Sequence, residues 1–92
     1  MKKVIINPDE ARKVEKLFIT YRGYQDILSY MMNNSSDTDL SQNPTFARKW
    51  AEAIELHNQL EEAKNEVDRA HRPEGNYDGF EFIFSENAVI YK

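Results

Sequence analysis

Apolar residues recur at steps of three and four in the first third of the chain, which is the spacing of one face of an α-helix. They are Ala11, Val14, Leu17, Phe18, Tyr21, Tyr24, Leu28, Met31 and Met32. Asn7 precedes them as a cap, Pro8 suits the first turn, and Glu10 stands at the capping-box position. The pattern predicts a helix over residues 8–32, with Gly23 as its one weak point.

The same start signal and spacing return after a polar segment. Residues 33–43 are rich in turn formers, so they predict an exposed loop. Asn43 and Pro44 then open a second helix, predicted over residues 44–72, which ends before Pro73. Its stripe consists of Phe46, Trp50, Ala53, Ile54, His57, Leu60, Ala63, Val67 and Ala70. The two helices are predicted to fold back on each other, with Tyr21 near Ile54 to within about one turn.

The two ends of the chain carry the pattern of β-strands. Alternating phenylalanines, a short polar break and a second apolar run predict a β-hairpin over residues 79–91. Residues 1–6 contain three adjacent β-branched side chains and predict a third strand. The order of elements predicts an α+β fold, in which a long antiparallel helical hairpin carries a small antiparallel sheet formed by the N-terminal strand and the C-terminal β-hairpin.

Composition and charge narrow the class of protein. Ninety-two residues, 40% hydrophobic and 30% charged, fit one globular domain over residues 1–92. The absence of cysteine excludes disulfides and thiolate chemistry. Sixteen acidic residues outnumber 12 basic ones, so no positively charged surface is expected that would bind the phosphates of nucleic acid. Without a signal-peptide core or a membrane-length apolar run, the chain is expected to be cytoplasmic and to bind neither nucleic acid nor membranes.

Two segments resemble sites of metal or acid–base chemistry. From Asp37 to Asn43 oxygen ligands alternate as in a calcium loop, but Gln42 replaces the glycine required for the turn and Arg48 replaces the bidentate glutamate. His57 and Glu61 stand four residues apart on one helix face, yet no nearby hydroxyl or second histidine offers a nucleophile or third ligand. No enzyme, catalytic residue, metal or cofactor is predicted.

The chain has more apolar surface than two helices and three strands can cover by themselves, which is typical of a partner-binding protein. The sequence therefore predicts a small non-catalytic intracellular protein–protein interaction module, an accessory subunit or an inhibitor of its partner, that also forms a homodimer. The expected partner-binding residues are Tyr24, Tyr30, Met31, Trp50, Val89 and Tyr91.

Two other functions stay open. The first is a ligand-binding helical bundle whose pocket between the helices is lined by Tyr21, Trp50, His57 and Glu61. Replacement of His57 distinguishes this function from partner binding: it should abolish ligand binding, which needs the imidazole, and leave partner binding unchanged. The second is an acidic mimic of nucleic acid that inhibits a nucleic-acid-binding protein, and added salt should weaken its binding steeply.

Overall fold

The computed structural model describes residues 1–92 and has the predicted α+β fold. The elements in chain order are β1 (Lys2–Ile5), α1 (Pro8–Asn33), α2 (Asp37–Ser41), α3 (Pro44–His71), β2 (Phe80–Ile83) and β3 (Ala88–Tyr91), with a 3-10 turn at Phe84–Glu86. Two long helices and a three-stranded antiparallel sheet built from both ends of the chain confirm the fold class.

Both long helices begin with the predicted asparagine caps. Asn7 Oδ1 accepts a hydrogen bond from the Asp9 amide at 2.8 Å, and the Asn7 amide donates to Glu10 Oε1 at 3.3 Å. Asn43 Oδ1 accepts from the Thr45 amide at 2.9 Å. These bonds satisfy amide groups that have no partner inside the helix, so the local sequence determines where each helix begins.

The segment 33–43, predicted as a loop, contains the short helix α2. Ser36 Oγ accepts a hydrogen bond from the Asp39 amide at 3.2 Å and caps the helix. Leu40 is the one buried side chain of α2. The loop prediction is wrong here, because a capping pair and a single buried leucine stabilise one helical turn that would not persist by itself.

The chain divides into two compact units, and each long helix contributes to both. Unit one comprises Met1–Lys16 and Glu61–Lys92, and unit two comprises Leu17–Leu60. The buried apolar residues of unit one are Ile6, Ala11, Val14, Ala63, Val67, Ala88, Val89 and Tyr91. Those of unit two are Leu28, Leu40, Ala53 and Leu60.

In unit one the strand order is β1-β3-β2, so β3 is the central strand and pairs on both sides. Val89 lies opposite Val4 in one ladder and opposite Phe82 in the other. Val89 and Tyr91 are completely buried. Their predicted position at an exposed sheet edge is therefore wrong, since β3 pairs on both sides and neither side chain reaches the surface of the single chain.

Within each unit the helix segments run antiparallel. In unit one His71 Nε2 lies 2.9 Å from Glu10 Oε1, so the end of α3 meets the start of α1. In unit two the Tyr21 ring lies 5.4 Å from the His57 ring. His57 lies one turn after Ile54, the predicted neighbour of Tyr21, so this contact agrees with the predicted register to within the one turn that the length of the loop leaves open.

Gly75 is expected to tolerate substitution least of the glycines. Its φ is +125°, and a Cβ atom would stand 3.2 Å from the Tyr77 hydroxyl, which donates a hydrogen bond to the Glu74 carbonyl. Gly75→Ala should lower the free energy of unfolding by about 1–2 kcal/mol, measured by urea denaturation. Gly23→Ala is the control: its Cβ would meet nothing within 4 Å, so stability should rise by up to about 1 kcal/mol. Equal effects of the two changes would contradict this prediction.

Candidate partner-binding groove

A groove of about 410 Å³ runs along unit two between α1 and α3. The residues that line it are Tyr21, Gln25, Leu28, Ser29, Met32, Trp50, Ala53, Ile54 and His57. We call it the Trp50 groove. Both long helices present side chains to it.

Helical spacing explains how the groove is built. Its α1 side chains recur at steps of three and four, and those of α3 follow the same steps from Trp50 to His57. Leu28 and Ala53 are buried and form the floor. Trp50 and Ile54 are 47% and 51% exposed and form the rim. The groove thus offers a large apolar surface to a binding partner.

The composition of the Trp50 groove differs from that of the chain as a whole. None of its lining residues is Asp, Glu, Lys or Arg, although 30% of the chain is charged. Depletion of charge together with Tyr, Trp and Met is the feature that distinguishes the centre of protein interfaces from other surface. The polar groups cluster around Tyr21, whose hydroxyl accepts a hydrogen bond from Gln25 Nε2 at 3.2 Å and whose ring contacts His57.

A second, more open cavity of about 530 Å³ adjoins the groove. Its lining residues are Met32, Asp37, Leu40, Ser41, Phe46, Ala47 and Trp50. Met32 and Trp50 line both cavities, and the Phe46 and Trp50 rings lie 5.9 Å apart. The apolar surface therefore continues from the groove to the short helix α2.

Only one of the predicted partner-binding residues, Trp50, lines the groove. Tyr24 is held by contacts inside unit two: its hydroxyl donates to Glu52 Oε2 at 2.6 Å, and Lys49 Nζ lies 5.5 Å from its ring centre. The hydrogen bond to Glu52 raises the pKa of Tyr24. Met31 is half-buried and Tyr30 is exposed elsewhere on α1.

Met32 and Ile54 are groove residues that the sequence prediction did not include among the partner-binding residues. Both belong to the predicted helical stripes, so the sequence already placed each of them on the apolar face of its helix. A stripe does not show which of its members face the opposite helix and which remain at the rim, and the prediction assigned both to packing.

Of the residues predicted for a ligand pocket, Tyr21, Trp50 and His57 line the groove. Glu61 belongs to unit one, where it accepts a hydrogen bond from Lys64 Nζ at 3.3 Å. No three His, Asp or Glu side chains are placed to hold a metal ion. The groove therefore combines an apolar surface with hydrogen-bonding groups at one end.

Unit one contains one buried polar cluster, around Tyr91. The Tyr91 hydroxyl and Asp68 Oδ1 are buried and neither has a hydrogen-bond partner of good geometry, while Arg72 Nε lies 3.4 Å from the same carboxylate oxygen. Burial raises the pKa of Tyr91 to about 12; Asp68 adds to the rise and Arg72 opposes it. Because Tyr91 is completely buried, this cluster concerns stability and not binding.

No protein-family model, curated protein or solved structure matches this chain. Neither long helix contains an apolar stretch that would cross a lipid bilayer.

Proposed function

We propose that this chain is a non-catalytic protein–protein interaction module that binds an amphipathic helix of a partner protein in the Trp50 groove. The uncharged, aromatic lining of a half-exposed groove carries this proposal. A module of this kind acts as an accessory subunit if the partner is active only in the complex. It acts as an inhibitor if it blocks the functional site of the partner.

The length of the groove suits a helix. From Tyr21 to Met32 it extends about 16 Å along α1, at 1.5 Å per residue. A bound amphipathic helix inserts apolar side chains at positions i, i+3 or i+4, and i+7, which span about 10 Å. The groove therefore accommodates two or three such side chains, and the adjoining cavity beside Phe46 accommodates one more.

Trp50 is expected to contribute most to binding. It lines both cavities and is still 47% exposed, so a partner would cover a large aromatic surface there. Tryptophan at the centre of an interface is the residue type whose truncation costs most affinity. Trp50 is also the only tryptophan of the chain, so its fluorescence reports on the groove alone.

Site-specific photo-crosslinking tests the proposal. A benzophenone amino acid replaces Ile54 in the full chain, expressed in its native host, and Ala51, exposed on α3 outside the groove, carries the same group as a matched control. We expect a protein to be captured from position 54 and not from position 51. Binding of that purified protein should shift the Trp50 emission to shorter wavelength, because burial removes water from the indole.

Trp50→Ala should then weaken binding of the captured protein about 30-fold or more, measured by calorimetry, while Ala51→Ser leaves the affinity unchanged. Circular dichroism checks that both variants are folded. Equal capture from both positions, or a captured protein that binds Trp50→Ala as tightly as the parent chain, would show that the groove is not the binding site.

A second candidate function is binding of a small aromatic ligand in the same groove. Its volume lies within the roughly 300–1,000 Å³ of small-molecule sites, and Tyr21, Gln25 and His57 place polar groups at one end. Titration with anilinonaphthalene sulfonate, followed by its fluorescence, measures this capacity. His57→Gln should abolish ligand binding but leave partner affinity within about 3-fold, so this one substitution separates the two functions.

A further inference from the structure

α1 carries a second apolar surface that does not belong to the Trp50 groove. Ile19, Ile27 and Tyr30 are 62%, 44% and 70% exposed and recur at steps of eight and three, so they lie on one face of the helix. Gly23 lies at the middle of this face, and a Cβ atom there would meet nothing within 4 Å. We call these four residues the α1 outer stripe. Each of its three large side chains keeps 44% or more of its surface exposed in the single chain.

We propose that the α1 outer stripe packs against the same stripe of a second copy of this chain, with the two helices antiparallel and the two Gly23 residues at the crossing point. In this arrangement Ile19 of one copy faces Ile27 of the other, and the same contact occurs twice, as a two-fold axis requires. Glycine at the crossing point lets the two backbones approach closely.

Charge complementarity supports a second copy as the occupant. Arg22 and Asp26 lie four residues apart on one flank of the stripe, and Arg22 is placed over the Phe18 ring, 5.8 Å from its centre. In an antiparallel helix pair like flanks meet, so Arg22 of each copy faces Asp26 of the other. The isoleucine contacts are centred on Gly23 and the ion pairs on the next residue, about 1.5 Å further along the helix. One two-fold axis near Gly23 therefore serves both kinds of contact, and a partner of different sequence would not require that symmetry.

The surface is small, so the dimer should be weak. Three apolar side chains and two charged ones per copy fall below the area of a standard interface. We expect a dissociation constant on the order of 10–100 µM. The dimer and the partner complex use different faces of α1, so this inference goes beyond the proposed function and does not rest on it.

Sedimentation equilibrium of the full chain, from about 10 µM to about 1 mM, measures the association. Gly23→Leu should weaken it at least about 10-fold, because a bulky side chain then separates the helices while the space around Gly23 in the monomer is open. Ala51→Leu adds similar bulk at an exposed position of α3 and should leave the association unchanged. Circular dichroism verifies that the variants keep their helix content.

Charge exchange tests the antiparallel arrangement. Arg22→Asp and Asp26→Arg should each weaken the homodimer about 10-fold, because like charges then meet at both ends of the contact. A mixture of the two variants should form a heterodimer that is tighter than either homodimer, since both ion pairs are restored in it. The double variant Arg22→Asp/Asp26→Arg should dimerise like the parent chain.

A chain that stays monomeric at about 1 mM would overturn the proposal. A dimer that Gly23→Leu leaves intact would show that another surface associates, and the absence of a heterodimer in the mixture would overturn the antiparallel pairing. Ile54→Asp, on the rim of the Trp50 groove, should remove partner binding and leave the dimer unchanged. Failure of one proposal is therefore distinguishable from failure of the other.

Discussion

The free energy of unfolding should fall by about 3 kcal/mol in total, because of Tyr91 alone, as the pH rises from below 10 to above 12. In the unfolded chain a tyrosine loses its proton near pH 10, whereas in the folded protein burial raises the pKa of Tyr91 to about 12. The stabilisation is fully present below pH 10 and is lost as the pH rises through 12, since only the unfolded chain then gains from ionisation. Two pH units at about 1.4 kcal/mol per unit give this magnitude.

Tyr91→Phe isolates this effect from other groups that titrate at high pH. At pH 7 the variant should differ from the parent chain by about 1 kcal/mol or less, because the contact of the Tyr91 hydroxyl with Asp68 lacks the geometry of a full hydrogen bond. Above pH 10 the variant should be the more stable protein, and the two curves should separate progressively up to pH 12. Urea unfolding at a series of pH values measures both. If the free energies of unfolding of the two proteins fell in parallel above pH 10, the loss of stability at high pH could not be assigned to Tyr91.

Leu28→Ala should lower the free energy of unfolding by about 3 kcal/mol, the second large effect that we expect. Leu28 is buried at the floor of the Trp50 groove, so its truncation removes packing contacts and leaves a cavity. Ile54→Ala is a matched truncation at the rim. Because Ile54 is half-exposed already, this change should cost only about 1 kcal/mol.

The two truncations should have the opposite order of effect on partner binding, which is measured by calorimetry at a temperature where both variants are folded. Ile54→Ala removes a side chain that the proposed partner helix would cover, so it should weaken binding about 10-fold or more. Leu28→Ala changes the floor and should weaken binding less. If Leu28→Ala were the more damaging of the two for binding, the partner would have to reach the floor of the groove, and the site would be a deep pocket and not a helix-binding groove.

The starts and ends of the long elements were predictable because local chemistry sets them. α1 and α3 begin at Pro8 and Pro44, where asparagine side chains bond the first free amides, and both helices end within one residue of the predicted position. α2 was not predicted, although Ser36 and Asp39 have capping spacing. A single apolar residue, Leu40, gives no periodic pattern, and its burial depends on the surrounding helices.

The candidate site was predictable only in part, for a geometric reason. Trp50, Tyr21 and His57 were recognised from the stripes, and the groove contains all three. Tyr21 and Ile54 were predicted as neighbours to within about a turn, and both line the groove; the ring that contacts Tyr21 is that of His57, one turn further along α3. A shift of one turn preserves the helical pattern while it changes which residue of α3 contacts Tyr21, so the pattern alone does not determine the register.

By itself, the sequence determined that this chain forms two capped amphipathic helices, a C-terminal β-hairpin and an N-terminal strand in an α+β fold, because caps and hydrophobic periods act over a few residues. The tertiary structure decided which apolar side chains are covered. β3 became the central strand, so Val89 and Tyr91 are buried, whereas Trp50 and Ile54 remain half-exposed around an uncharged groove. Strand order and helix register depend on contacts between distant residues, and a period of two or 3.6 residues contains no information about them.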